Sequence, residues 1–349
     1  MLTVLQTYRG FAAMLVVFFH SALAAKAYFG EQPLLDVFIF GSSGVQFFFA
    51  LSGFIIYYIH RADIDQPAAL PNYALKRLIR IYPIYILVTL AFAPLWLFVP
   101  SIGEPFHKDV GALLLSLLLV PQSHFPHLGV AWTLTHEMLF YFVFATLIIR
   151  RSLGLALLAV WAAAIVVANL LADGELTLPL RYFVSTNNLL FMLGMFAARL
   201  AIARRWQHVA LFVLGNILFL AVGAWTNTVG MQPDPFEYNL MVAGFGVASF
   251  LILLQAEAPA LQRFFANRRL LLLLGDASYS IYLIHYPLVS ATCKVLKYLG
   301  LGAGNTLIAF VVAAAFSAAA GVALHLIVEK PMLRWLGRRY RTQRRVVAA

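Results

Sequence analysis

Residues 8–20 read Tyr-Arg-Gly-Phe-Ala-Ala-Met-Leu-Val-Val-Phe-Phe-His, an apolar run with a basic residue near each end. Arg9 and His20 are eleven positions apart, so on a helix they share one face and lie about 16 Å apart. Ionisable side chains in lipid are costly and usually mark a functional site. The run therefore predicts a membrane-spanning helix that carries a fixed cation near one surface and a titratable base near mid-membrane.

The composition of the whole chain agrees with a membrane protein. The 349 residues are 62% hydrophobic and 11% charged, whereas soluble domains are about half apolar and a quarter charged. The formal charge of +11 is spread in short clusters between apolar runs, which indicates positive-inside topology and not a nucleic-acid surface. We therefore expect an all-α, polytopic integral membrane protein that has the lipid bilayer as a partner and binds no nucleic acid.

The apolar runs predict about ten membrane crossings with both termini in the cytoplasm. The predicted spans are 8–28, 37–59, 81–100, 131–149, 153–172, 183–203, 207–226, 239–256, 270–293 and 305–328. The basic clusters assigned to the cytoplasm are Lys76/Arg77/Arg80, Arg150/Arg151, Arg204/Arg205, Arg263/Arg268/Arg269 and the tail from Arg334 to Arg345. Residues 1–333 are predicted to form one transmembrane domain, and 334–349 a basic cytoplasmic tail on the anionic inner leaflet.

Two segments need separate interpretation. Segment 109–121 holds about eleven apolar residues, too few to span a bilayer upright, so we predict a short re-entrant or interfacial helix. Ala22-Leu23-Ala24 resembles a signal-peptide cleavage site after an apolar core. Only one cation precedes that core, however, and Arg9 touches it. We therefore expect the first segment to be retained as a span.

The second and third spans carry candidate site residues. Small residues at 41, 44, 52 and 53 favour close helix packing, and Ser52 is also a candidate cavity residue. Arg77 and Arg80, at the start of the third span, share a helix face. This pair fits either ordinary positive-inside topology or a bidentate phosphate clamp, which arginine forms better than lysine.

The fourth span opens with Trp-Thr-Leu-Thr-His-Glu over residues 132–137. Thr133, Glu137 and Tyr141 fall on one helical face. A glutamate at this depth is costly unless it is paired or solvated. The pattern therefore predicts either a structural salt bridge or a functional site.

The ninth span carries a polar stripe in an otherwise apolar helix. Ser278, Tyr282 and His285 follow positions i, i+4 and i+7, so they share a face. A hydrogen-bonded helix–helix contact and a cavity lining both explain the stripe. At the end of the last span, Glu329 is placed to pair with an arginine of a basic cluster.

Two further histidine patterns are interpreted as loop residues. His60 and Asp65 show the spacing His-x4-Asp, but two fixed positions in a polar loop arise easily by chance. His124 and His127 lack a nearby carboxylate or cysteine that would complete a metal site. No metal is therefore expected.

Together these segments resemble the membrane-bound acyltransferase 3 family, over essentially the whole chain. The resemblance departs at His136, where a small polar or aromatic residue would be expected before the glutamate. The matching motifs, in chain order, are Arg9-Gly10…His20, Gly44-Val45…Phe48…Leu51-Ser52-Gly53-Phe54, Arg77…Arg80-Ile81…Pro83, Trp132-Thr133-Leu134…Glu137…Phe140-Tyr141, Ser278-Tyr279…Tyr282-Leu283…His285…Pro287 and Glu329…Pro331.

The resemblance implies an enzyme that moves an acyl group, usually acetyl, from cytoplasmic acyl-CoA to a hydroxyl of a surface glycan, exopolysaccharide or lipid-linked sugar. It also implies a multi-pass protein of the bacterial inner membrane. The family's essential arginine and histidine correspond to Arg9 and His20, and its paired arginines to Arg77 and Arg80. The roles expected on this basis are catalysis by His20, Arg9 and Glu137, donor binding by Arg77, Arg80, Arg9 and Tyr82, and pocket lining by Ser52, Trp132, Thr133, Ser278, Tyr282 and His285.

The expected mechanism uses His20 as a general base that takes the proton of the acceptor hydroxyl. Ser52, Tyr282 or His285 would donate to the developing oxyanion, and Glu137 would orient the acceptor or tune a histidine. A covalent acyl-histidine is an alternative. A secondary transporter with a mid-membrane site is the alternative function, although transporters often show paired halves and no motif here has a second copy.

Overall fold

The computed structural model consists almost entirely of helices. It describes residues 2–30, 33–99, 103–171, 177–204, 206–301 and 306–347, with the backbone alone at 33, 35 and 339–347. No strand occurs in those ranges. The helices are α1 Thr3–Phe29, α2 Pro33–Phe38, α3 Gly44–His60, α4 Leu70–Phe98, α5 Val110–Leu117, α6 Trp132–Ile149, α7 Arg151–Leu171, α8 Leu180–Val184, α9 Asn187–Ile202, α10 Val209–Val229, α11 Pro235–Leu254, α12 Pro259–Ala266, α13 Arg269–Asp276, α14 Ser278–Tyr298, α15 Thr306–Leu324 and α16 Lys330–Val347.

Nine helical segments of the described chain are long and apolar enough to cross a membrane. α14 has 21 residues and packs against α1 and α15. It is long enough to cross a membrane, but with its polar stripe it is not apolar enough to count among the nine segments. The prediction of an all-α, polytopic membrane protein is confirmed.

Contacts between loops show that the clusters Arg150/Arg151 and Arg204 both lie at the end of the helix bundle where α3 ends. A carboxylate oxygen of Asp65, after α3, accepts from the backbone N–H of Arg151 at the start of α7 (2.6 Å). Arg204, after α9, pairs with Glu257 (3.2 Å), and Glu257 also accepts from the hydroxyl of Tyr58 (2.6 Å). We call this the basic end. Arg205, predicted in the same cluster, lies outside the described residues.

Glycines bring α3 against α1 and α9. A Cβ atom on Gly53 would lie 1.9 Å from the carbonyl oxygen of Phe191, and one on Gly194 would lie 1.8 Å from that of Ala50. A Cβ on Gly44 would lie 2.3 Å from a carbonyl oxygen of α1. Only glycine permits these approaches, so close packing explains the small-residue motif of the second span.

Two predicted spans need correction. The helix of the third predicted span, α4, begins at Leu70, well before the predicted residue 81, because residues 70–80, which mix polar and apolar side chains, continue the helix beyond its apolar part. The predicted span 270–293 is not one helix, since α13 ends at Asp276 and α14 starts after Ala277. The break lies where the chain crosses α1, with a Cβ on Gly275 placed 1.9 Å from the carbonyl oxygen of Gln6.

The predicted short segment at 109–121 is helical only over Val110–Leu117, eight residues that cannot span a bilayer. It is attached to the middle of α4. The hydroxyl of Tyr85 donates to the carbonyl oxygen of Ser116 (2.6 Å), and that of Tyr82 donates to the carbonyl oxygen of Leu118 (3.0 Å). α5 and the residue after it are therefore held against the middle of α4.

Of the three histidines interpreted as loop residues, one lies in a helix and two lie in a loop. His60 is the fully buried last residue of α3 and contacts Asp63 (2.7 Å), so its assignment to a loop is wrong. His124 and His127 do lie in a loop, but His127 is buried and its Nδ1 lies 3.1 Å from the hydroxyl of Ser116. Burial, and to a smaller extent the neighbouring His107, lowers the pKa of His127 to about 4.

The C-terminal helix continues through the predicted boundary between the membrane domain and the tail. α15 leads into a π-helical turn, His325–Glu329, and then into α16, Lys330–Val347. Residue 333 therefore lies inside a continuous helix. π-Helical turns occur frequently at functional sites, and this one places Glu329 beside the cavity described next. The position of the tail on a membrane surface stays a prediction.

Candidate active site

A cavity of about 550 Å³ lies between α1, α3, α4, α6 and α14. It begins at the basic end, where the exposed side chains of Ile59 and Lys76 contribute to its lining. It reaches Thr133 and Tyr282 inside the bundle. Charged and hydroxyl groups alternate with apolar side chains along its length, so the cavity can hold a long amphiphilic ligand.

Four cations line the cavity, namely Arg9, Lys76, Arg77 and Arg80. The guanidinium of Arg77 lies 5.8 Å from the ring centroid of Tyr141. Its Nε is buried and has no hydrogen-bond partner. An unsatisfied charged donor is costly, and an anionic ligand in the cavity would satisfy it.

Arg80 is held by a buried carboxylate. Its guanidinium donates to Glu329 (2.6 Å), which also accepts from Ser280 (2.7 Å) and from Nδ1 of His325 (2.8 Å). Glu329 is fully buried, and the ring of Tyr279 lies 5.1 Å below the Arg80 guanidinium. The sequence suggested that Glu329 pairs with an arginine, but it gave no indication that Ser280 and His325 belong to the same network.

The polar face predicted on the fourth span lies in the cavity, since Thr133, Glu137 and Tyr141 all line it. Glu137 accepts hydrogen bonds from Ser52 (3.2 Å) and from the hydroxyl of Tyr141. The hydroxyls of Thr133 and Tyr282 are 3.1 Å apart. Glu137 is therefore bound by two hydroxyl groups of the cavity wall.

His20 lies beyond the far limit of this cavity and contacts His285. Nδ1 of His20 is 3.1 Å from Nε2 of His285, which is fully buried. His285 lies one helical turn along α14 from Tyr282, a lining residue. Arg9, on the same face of α1 as His20, lines the cavity. The two predicted residues of α1 therefore lie at different places: Arg9 in the cavity wall, and His20 beyond the cavity, against His285. The sequence did not predict the contact between the two histidines.

Besides His20 and His285, two predicted site residues do not line the cavity. Tyr82, expected at the donor site, donates to the carbonyl oxygen of Leu118 on another side of α4, because two residues along a helix correspond to a rotation of about 200° from Arg80. Trp132, expected in the pocket, packs its ring 6.0 Å from Phe49 and 5.5 Å from His136.

Ser278 lines the cavity as predicted, and its buried hydroxyl has no hydrogen-bond partner. In the described ranges no group of three or more His, Cys, Asp and Glu side chains could hold a metal ion. The fold and site thus define a multi-pass membrane protein with a cation-lined cavity that leads from one end of the bundle toward a pair of histidines inside it.

Comparison with known proteins assigns this architecture. The family model described as an acyltransferase domain matches residues 5–326, and the chain belongs to the acyltransferase 3 family. It is 32% identical to the exopolysaccharide production protein ExoZ of Rhizobium meliloti (strain 1021), over 85% of this chain and 91% of that protein. It is 27% identical to acyltransferase MdmB of Streptomyces mycarofaciens, over 95% and 91%.

A third relative is peptidoglycan O-acetyltransferase OatA of Listeria monocytogenes serovar 1/2a (strain ATCC BAA-679 / EGD-e). It is 26% identical over 74% of this chain but only 46% of its own length. No solved structure matches. The protein is therefore a membrane acyltransferase.

Proposed function

We propose that this acyltransferase moves an acyl group, in the simplest case acetyl, from cytoplasmic acyl-CoA to a hydroxyl of a surface glycan or exopolysaccharide. The observation that carries the proposal is the cation-lined cavity that leads from the basic end toward His20. Because positively charged loops remain in the cytoplasm, the basic end would face the cytoplasm of a bacterial inner membrane.

The entrance of the cavity suits the donor. CoA carries several phosphate charges on a thin pantetheine arm, and the lining offers Arg9, Lys76, Arg77 and Arg80. Among these cations, Arg80 is paired with Glu329. Arginine binds phosphate through paired donors in one plane, and the unpartnered Nε of Arg77 is available for such a bond. The pantetheine arm would then extend toward Thr133.

In the proposed reaction His20, which lies beyond the end of the pantetheine arm, is the general base. His20 takes the proton of the acceptor hydroxyl while that oxygen forms a bond to the thioester carbonyl carbon. The carbon–sulfur bond then breaks, and the CoA thiolate leaves and recovers the proton from His20. The hydroxyls of Thr133 and Tyr282, 3.1 Å apart, both donate to the carbonyl oxygen of Val130, and one of them would turn from that oxygen to donate to the developing oxyanion. Glu137 and Ser52 would orient the substrates.

Similarity supports a glycan acceptor. One relative is an exopolysaccharide production protein and another a peptidoglycan O-acetyltransferase. The match to an acyltransferase model over residues 5–326 argues against a secondary transporter, the alternative considered from the sequence.

The test uses purified protein in nanodiscs with radiolabelled acetyl-CoA, and it follows CoA release and transfer of label to exopolysaccharide. Wild type should release CoA, and His20→Ala should lose about 10²- to 10⁴-fold, the usual contribution of a general base. His208→Ala, which removes an exposed histidine outside the site, is the matched control and should retain activity. Wild-type turnover in His20→Ala would refute the role of His20.

Donor binding is tested separately. Arg77→Ala should raise the donor KM about 10- to 100-fold, the range for a hydrogen bond to a charged group. Arg151→Ala, which removes an exposed cation from the same end of the bundle, should not change it. If folded wild-type protein neither binds nor cleaves acetyl-CoA, the proposed donor is wrong.

A further inference from the structure

We infer that His285 is a positioning residue that acts with the backbone carbonyl oxygen of Val16 to fix which nitrogen of His20 serves as the base. This inference rests on the proposed role of His20. The two rings are in direct contact, with centroids 4.9 Å apart, although they come from α1 and α14. The sequence alone indicated only that His285 belongs to the polar stripe on α14; it did not indicate a contact with His20.

The proton position on His285 follows from its backbone contact. Its Nδ1 lies 2.7 Å from the carbonyl oxygen of Tyr282. A carbonyl oxygen only accepts hydrogen bonds, so Nδ1 of His285 must carry the proton. In a neutral imidazole the other nitrogen is then an acceptor. Nε2 of His285 therefore presents its lone pair to His20.

The proton position on His20 follows in turn. Its Nδ1 lies 3.0 Å from the carbonyl oxygen of Val16 and 3.1 Å from Nε2 of His285. Both neighbours are acceptors, so Nδ1 of His20 carries the proton and shares it between them. The lone pair of His20 is therefore on Nε2, the nitrogen that takes the proton of the acceptor hydroxyl.

The arrangement excludes the role first expected for His285. Its single proton is used by the carbonyl oxygen of Tyr282, so it has none to donate to an oxyanion. Its effect appears when His20 is protonated, because the bond from Nδ1–H to His285 then becomes charge-assisted and about twice as strong. A contact that strengthens in the transition state raises kcat without improving substrate binding. Phe19 and Tyr286 contact the other sides of the His20 ring, with centroids 4.9 and 5.1 Å away.

The test compares two substitutions of His285. His285→Leu removes the acceptor and should lower kcat about 10- to 100-fold, the range for a hydrogen bond to a charged group. His285→Gln supplies an amide oxygen as acceptor and should recover most of that loss. Because neither histidine lines the donor cavity, the donor KM should stay at the wild-type value in both variants.

A matched control removes another buried histidine. His136 is 3% exposed, bonds Asn188 (2.9 Å) and does not line the cavity. His136→Leu and His136→Gln should both keep the wild-type kcat in folded protein. The control thus separates loss of the specific contact from general damage to the membrane core.

The tautomer is read directly by ¹⁵N NMR of histidine-labelled protein in nanodiscs, with the His20 signal assigned by its loss in His20→Ala. Protonation at Nδ1 in wild type, with the graded kcat loss, supports the inference. A His20 signal protonated at Nε2, or equal kcat losses in His285→Gln and His285→Leu, overturns it while the proposed function stands. Wild-type turnover in His20→Ala overturns both.

Discussion

Replacement of Glu329 by glutamine should destabilise the protein and weaken donor binding. The two carboxylate oxygens are fully buried and accept from Arg80, Ser280 and His325 at 2.6, 2.7 and 2.8 Å. Glutamine keeps one oxygen and replaces the other by an NH₂ group, which only donates. At least one of the three donors therefore loses its acceptor, and the charge of Arg80 loses its partner.

The magnitude follows from burial. Removal of one partner of a buried ion pair costs about 3–5 kcal/mol. The side chain of Arg80 is 31% exposed, so water screens part of its charge and the loss should be about 3 kcal/mol. Because each 1.4 kcal/mol is a factor of ten, the unfolding equilibrium constant should rise about 100-fold. The donor KM should also rise, since Arg80 is no longer fixed at the cavity wall.

The chain offers its own probe for unfolding. Cys293 is the only cysteine and is buried, so its reaction with a thiol dye in increasing denaturant reports loss of structure. Glu257→Gln is the matched control, because Glu257 pairs with the largely exposed Arg204 at the basic end and should cost less than about 1 kcal/mol. Equal unfolding free energies and equal donor KM values for Glu329→Gln and wild type would refute the reasoning.

Three further predictions concern packing, pH and the donor site. Gly53→Ala should cost about 1–3 kcal/mol in the same unfolding assay, whereas Gly337→Ala, where a Cβ meets nothing within 4 Å, should not destabilise the protein. The pKa of His127 is about 6.5 in the unfolded chain and about 4 in the folded protein. As the pH falls between these two values, the unfolded chain binds more protons than the folded one. Segment 103–128 should therefore lose stability over this range. Hydrogen–deuterium exchange corrected for its intrinsic pH dependence should accelerate there, and unchanged protection at pH 4.5 would contradict this. Tyr82→Phe should leave the donor KM unchanged, and an increase would show that Tyr82 reaches the donor.

Periodicity within single helices was readable from the sequence. The apolar runs predicted an all-α membrane protein. Spacing on one helix placed Thr133, Glu137 and Tyr141 on a common face, and in the structure this face lines the cavity. Such inferences succeed because side chains three or four residues apart on a helix face the same way. The packing role of Gly53 was also readable, since small residues allow close approach of helices.

The pairing of helices was decided only by the tertiary structure. His20 and His285 are 265 positions apart and Arg80 and Glu329 are 249 apart, and no local pattern specifies which faces meet. The same holds for the break at Ala277, which lies where the chain packs against α1. The amino-acid sequence by itself thus determined the helices and their polar faces. Tertiary packing determined which acceptors the buried donors of Arg80, Ser280 and His20 bind, because an unpaired polar group in a membrane core is costly.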